Sequence, residues 1–401
     1  MTNKNYKRLL FIGLIGIVIA GCDELLFPEA PAENEILDGP VEGLSFEEQN
    51  QFLAGDIAFS DEIFTPATGL GPLFVAPSCG SCHPGDGRGH PFTTLTRFGQ
   101  TAPNMPKNLE IGGPQLQNRA IPGHQPEKLP EGIPFMKFTP PPVTGLGFLA
   151  ALTDEQILSN ADPEDEDGDG ISGVPNYVTP PEYFIPQPFH RPRNGQYIGR
   201  FGKKAGTISL LQQTATAYNQ DMGVTSTFEP VDVSSGLTID PEVSDQTIRD
   251  VVFYLRTLKA PIPRDESDPE IAEGKQIFAN IQCGACHIPT FTTPESDIES
   301  LSNKTFHPYT DLLLHDMGPE LDDGATEGSA ETFEWRTPPL WGLGLSPDAQ
   351  GGEFFLMHDG RAKSIEEAIL MHGGEAESSR ESFKQLNESE KNKLIKFLES
   401  L

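Results

Sequence analysis

The chain has 401 residues, with 59 acidic against 28 basic side chains and a formal net charge of −31. That balance argues against nucleic acid as a partner and leaves a basic protein or a metal ion in view. An apolar fraction of 36% suits a soluble globular protein, while 40 Gly and 37 Pro imply long connections around modest helices.

From the N-terminus, Lys4, Lys7 and Arg8 precede an apolar run, Leu9 to Ala20, that ends in IAGC, Ile19 to Cys22. The run is short for a bilayer span and suits the core of a signal peptide. The small residues before Cys22 resemble a bacterial lipobox, so residues 1–21 are expected to be removed and Cys22 lipidated. An uncleaved anchor or a buried free Cys competes with that reading. Residues 22–44, acidic and rich in Pro, then read as a disordered tether.

The next segments come in two similar sets. Ser45 and Glu48 open a helix as a capping box, and a Gly/Pro-rich insertion separates it from CGSCH, Cys79 to His83. Far downstream, Ser244 to Leu258 reads as a capped amphipathic helix, and the Pro-rich stretch Ala260 to Ser267 as a linker. The second set begins at Asp268, with Ile271, Ile277, Phe278 and Ile281 at helical spacing, and runs straight into CGACH, Cys283 to His287. Ser364 and Glu367 make another capping pair, and Gly373-Gly374 a helix stop, so LMHGG (Leu370 to Gly374) ends a short helix while LMHDG (Leu356 to Gly360) precedes it as loop. A final capped helix runs from Asn387 to Leu401.

Apart from Cys22, every cysteine lies in a CxxCH unit, the signature of c-type haem attachment. On a helical turn, positions i, i+3 and i+4 share one face, so both thiols can add to the haem vinyl groups while the imidazole reaches iron. One four-sulfur zinc site, a pair of reactive dithiols, or two disulfides are the alternatives, and all leave the His after each pair unexplained. The expected fold is mainly α, with two cytochrome c-like domains, residues 45–262 and 263–401. Each carries one covalent haem c, and the first has long loop-rich insertions. One insertion spaces Asp165, Asp167 and Asp169 ahead of Gly170 like the start of a calcium loop. Its twelfth position is Asn176 instead of Glu, so a calcium ion competes there with a solvated acidic loop.

The stretches GPQLQNRAIPGH, DGISGVPNYV, IGRFGKKAG, YTDLLLHDMGP, EWRTPPLWGLGL and HDGRAKSIEEAILMHGGEA resemble the bacterial di-haem oxidoreductase family, also labelled thiol oxidoreductase or peroxidase. More distantly the chain is similar to the di-haem cytochrome c peroxidases and to the di-haem enzyme that matures methylamine dehydrogenase. The resemblance implies an exported, peroxidase-like oxidoreductase in which electrons pass from the C-terminal haem to a substrate-reducing N-terminal haem. In the peroxidase pattern the axial ligand of the C-terminal haem falls fourteen positions after the His of HDG, which is His372 here and not Met371. A His/His haem sits at lower potential than a His/Met one. His358 is expected near the haem edge.

For the first haem, Ala217 aligns with His372 and leaves the distal side open. Gln213 and the Asp221-Met222 pair are the nearest matches to the family's distal Gln and Glu-Met. Asp221 would move the proton between peroxide oxygens, and Met222 is the rival iron ligand, with His90 and His124 as further options. Trp335 and Trp341 suit either an electron route or the core. The implied partners are a small redox protein as donor or acceptor, peroxide or another small oxidant, and a membrane held through the lipid anchor, on the periplasmic side of a bacterial envelope. Two other functions stay open: a non-catalytic di-haem electron-transfer lipoprotein, and a maturation enzyme oxidising a protein substrate. The thiol label has no support, since haem and lipid attachment leave no free Cys.

Overall fold

The computed structural model describes residues 31–98 and 114–401, so the expected signal peptide and the lipidation site Cys22 lie outside the described residues. The chain divides into two units, Met1–Ile36 and Leu37–Leu401. The described part of the first holds one 3-10 turn, Glu33–Glu35. Both CxxCH segments belong to the second. Among the described residues, no helix is long and apolar enough to cross a membrane.

The second unit contains ten α-helices among its described residues: α1 Phe46–Asp56, α2 Leu146–Ala151, α3 Asp154–Leu158, α4 Leu210–Met222, α5 Asp245–Thr257, α6 Pro269–Asn280, α7 Ser346–Ala349, α8 Ile365–Leu370, α9 Glu377–Gln385 and α10 Glu388–Ser400. Among the described residues strands occur only as five two-stranded antiparallel ribbons, such as Leu95–Phe98 on Phe135–Phe138 and Leu314–Asp316 on Glu334–Arg336. Irregular chain fills the rest, as the Gly and Pro content implied.

Helix starts follow local chemistry. Ser45 Oγ accepts from Glu48 N while Glu48 Oε2 accepts from Ser45 N at 2.8 Å, and Asn387 with Glu390 repeats the device at α10. Asp268 caps α6 with Pro269 at its first position. At α8 the box is only half made. Ser364 caps Glu367 N, but Glu367 Oε2 turns to Lys363 N at 2.6 Å, because the chain enters this helix from a loop that leaves that amide exposed.

Two helix pairs frame the unit, α1 on α5 and α6 on α10. Each closes over a glycine. A Cβ on Gly55 would stand 2.1 Å from Asp250 O, and one on Gly274 would stand 2.1 Å from Lys393 O. Aromatic rings fill the space beside each crossing, Phe52 on Tyr254 at 4.9 Å and Phe278 on Phe397 at 5.5 Å between centroids. The repeat seen in the sequence is therefore a repeated packing contact.

The cores are less separable than the helix pairs. The core around α1 and α5 also takes in Ile298, Leu301, Phe306 and Trp341, from beyond the expected boundary at 262/263. A second core joins α6, α8, α9 and α10 through Phe278, Ile365, Phe383 and Phe397. Packing also begins earlier than the expected tether allows. Val41 N donates to Thr257 O at 2.7 Å, and Val41 and Leu44 are buried, so the end of the 22–44 stretch is held against α5.

Candidate functional site

Each CxxCH turn lies on the wall of its own cleft. At the first, the amides of Cys82 and His83 both donate to Cys79 O at 3.0 Å. At the second, Cys283–Ala285 forms a 3-10 turn and His287 N donates to Cys283 O at 3.0 Å. Both turns bring two thiols and an imidazole to one side. The four thiols are unbonded to one another, and Cys79 with Cys82 lines one cleft while Cys283 with Cys286 lines the other. Among the described residues the cysteines form no metal-holding group, which removes the single zinc site. Burial pushes the thiols of Cys79, Cys82 and Cys283 up to about 12, the opposite of what a reactive dithiol needs.

The clefts hold about 1480 Å³ and 1500 Å³ of atom-free space, their open mouths included. The second is walled mainly by Leu, Ile, Met, Phe and Trp side chains. Three imidazoles are presented in the same way. His83 Nδ1 meets Pro141 O at 2.9 Å, His287 Nδ1 meets Tyr309 O at 2.9 Å, and His372 Nδ1 meets Ala368 O at 2.7 Å. A backbone carbonyl at Nδ1 fixes that nitrogen as the donor and leaves Nε2 with its lone pair. Desolvation lowers all three, His83 and His287 to about 4, so the neutral form that binds a metal prevails. The residues present thus fit two covalently held haems.

The distal sides differ. The second cleft contains His372, just past the C-terminal end of α8, as well as His287. Met371 does not line it and packs, half-buried, against the core shared by α6, α8, α9 and α10. His358 lines it too, but its Nε2 is held by Asp323 at 2.9 Å and its ring lies on Trp335, centroids 3.6 Å apart and planes 11° off parallel. Trp335 donates to Leu321 O at 2.8 Å.

In the first cleft His83 is the sole imidazole on the wall, and α4 supplies Gln213, Ala217, Asp221 and Met222. Ala217 has nothing to offer iron. Met222 is 2% exposed and belongs to a core with Phe64, Leu70 and Tyr218. Desolvation raises the Asp221 carboxyl to about 6, against a hydrogen bond from Gln115 Nε2 that favours its charge. Gln213 Oε1 accepts from Thr207 Oγ1 at 2.9 Å. His90 and His124 are outside this cleft; His90 Nδ1 accepts from Phe92 N at 3.1 Å, and His124 is exposed. Trp341 reaches the wall of the first cleft from the far half of the chain.

Several residues here carry no sequence signal of their own. Gln115, 3% exposed, braces Asp221 from within the GPQLQNRAIPGH stretch, whose spacing gave it no role. Beside Cys286 an imidazole is clamped by two acids: His315 Nε2 meets Asp311 Oδ2 at 2.8 Å, and Nδ1 meets Glu375 Oε2 at 2.6 Å. Burial works against its charge, but Asp311, Cys286 and Glu375 together hold it well above the usual histidine range. The acidic loop also differs in detail. The carboxylates that converge are Asp162, Asp165 and Asp167, within 4.8 Å, while Asp169 turns back to accept from Ile171 N at 2.8 Å.

A family model described as "Di-haem oxidoreductase, putative peroxidase" matches residues 136–401, leaving the first CxxCH outside the match. No curated protein matches the chain. Among solved structures, hydrazine synthase of Kuenenia stuttgartiensis is similar at 14% identity, over 93% of this chain and 97% of that one, with a TM-score of 0.40. A MauG-like protein associated with microbial copper homeostasis is similar at 15% identity, over 93% and 94%, with a TM-score of 0.40. The diheme peroxidase BthA from Burkholderia thailandensis is similar at 14% identity, over 88% and 86%, with a TM-score of 0.43. At these scores none of the three bears on what this chain does.

Proposed function

Because the chain belongs to the di-haem oxidoreductase family, we propose that it is an exported, lipid-anchored enzyme with two covalent haems c and peroxidase-like activity. The observation that carries this reading is the asymmetry of the clefts: both present a CxxCH imidazole, and only the second adds another imidazole with a free Nε2. Bound there, haem supplies the redox chemistry, with electrons entering at the C-terminal site and reaching peroxide or another small oxidant at the N-terminal one.

The chain's own residues do the rest. Cys79 with Cys82, and Cys283 with Cys286, would hold the two haems through thioether bonds, and His83, His287 and His372 would offer nitrogen ligands to iron. On the open side Asp221, its carboxyl poised near 6, accepts the proton from one peroxide oxygen and returns it to the other. Gln115 holds that carboxylate in place, and Gln213 orients the oxidant from about two turns of α4 away. The −31 charge suits a basic donor protein, with association falling as salt rises. Calcium at Asp162, Asp165 and Asp167 would tie down the acidic loop, and its removal by a chelator would then lower Tm.

Stopped-flow reaction of the purified, one-electron-reduced protein with hydrogen peroxide tests the reading. Reoxidation of two protein molecules per peroxide, with water as product, is expected. Complete indifference to peroxide would leave the electron-relay function instead.

A further inference from the structure

The two clefts share a wall, and that wall is cationic. Arg88, Lys203 and Arg336 line both. All three are buried, with 7%, 8% and 8% of their surface exposed. Among the described residues, neither the Arg88 guanidinium nor the Lys203 ammonium has a hydrogen bond or ion pair, and Arg88 Nε is a buried donor without an acceptor. Arg336 donates only to backbone, Nε to Gly202 O at 2.8 Å and Nη1 to Thr337 O at 3.1 Å.

The nearest carboxylates are already engaged. Asp359 attracts Lys203 but is paired with Arg361 at 2.8 Å. Asp311 attracts Arg336 but holds His315. Desolvation lowers Arg88 and Arg336 to about 10, and desolvation with repulsion from both arginines lowers Lys203 well below its usual range. Arg200, on the first cleft, shows the ordinary solution: equally buried, it has its own carboxylate, Asp154, at 2.5 Å. Burying a charge without a partner costs several kcal/mol. Three such charges gathered where two clefts meet mark a seat for anionic groups that enter from both sides.

We propose that Arg88, Lys203 and Arg336 form one shared seat for the propionates of both haems, so that a single cationic wall sets the potential of each. This rests on the di-haem reading. Positive charge beside a haem favours the ferrous state, so the wall raises both midpoints.

The test is spectroelectrochemical titration of the full haem-loaded protein, after covalent haem has been counted by the pyridine haemochrome assay. Lys203→Gln and Arg88→Gln are each expected to keep two haems and to move both midpoints to lower potential, while Lys203→Arg stays close to the parent. Unmoved midpoints in both Gln variants at full haem content would overturn the proposal, and so would movement of one midpoint alone. Failure of the parent protein to carry two haems would overturn the di-haem reading itself, a result read before any titration.

Discussion

The halves of the molecule share a chassis and differ in the side chains that join the CxxCH imidazole in each cleft. Gly55 and Gly274 let α1 and α6 press onto α5 and α10 with the same 2.1 Å constraint, and Nδ1 of His83 and His287 is fixed by a carbonyl at the same 2.9 Å. Across the clefts the likeness ends. The short α8 ends two residues before His372, whereas the longer α4 presents Ala217 at the matching place and carries on to Asp221 and Met222. Backbone packing and proximal geometry are therefore preserved by close helix contact, which tolerates no larger residue. The distal segments are where the two halves present different side chains to their clefts.

That contrast can be broken from the chemical side first. Asp221→Asn should slow peroxide turnover by about 10²- to 10⁴-fold with haem content unchanged, measured by steady-state assay. In the parent the ionised carboxylate is the active form, so turnover should rise as pH climbs through about 6, and the variant should lose that limb. The same shift has a stability consequence. The folded-state carboxyl titrates above its ordinary 3.8, so its contribution to stability falls as pH rises from there to about 6. Next come the glycines: Gly55→Ala and Gly274→Ala should each cost about 1–3 kcal/mol by overpacking, seen in denaturant unfolding. Two equal losses would support the shared chassis, and a silent variant would deny it to that half. Smallest is Ser45→Ala, about 1 kcal/mol from the lost cap of α1, read from Tm with unchanged spectra.

Much of this was legible because it is local. Capping pairs at Ser45 and Asn387, the CxxCH turns and the loop-then-helix order of the two LMH copies depend on residues within a few positions of each other. The cationic wall was not. Arg88 and Lys203 come from two distant loops and Arg336 from the end of a short ribbon strand, and each alone resembles a solvated surface charge. The brace from Gln115 and the convergence of Asp162 in place of Asp169 are likewise products of loop geometry. So is the crossing of Trp341 into the first core, which blurs a domain boundary the Pro-rich linker had made look clean.

The asymmetry of the clefts is tested most directly by electron paramagnetic resonance of the oxidised, haem-loaded protein alongside its His372→Ala and Met371→Leu variants. The parent should give one low-spin signal of bis-imidazole type and one signal from a haem with an exchangeable distal side. His372→Ala should convert the low-spin signal, and Met371→Leu should leave it untouched. Two low-spin signals in the parent, or a low-spin signal indifferent to the loss of His372, would contradict the account.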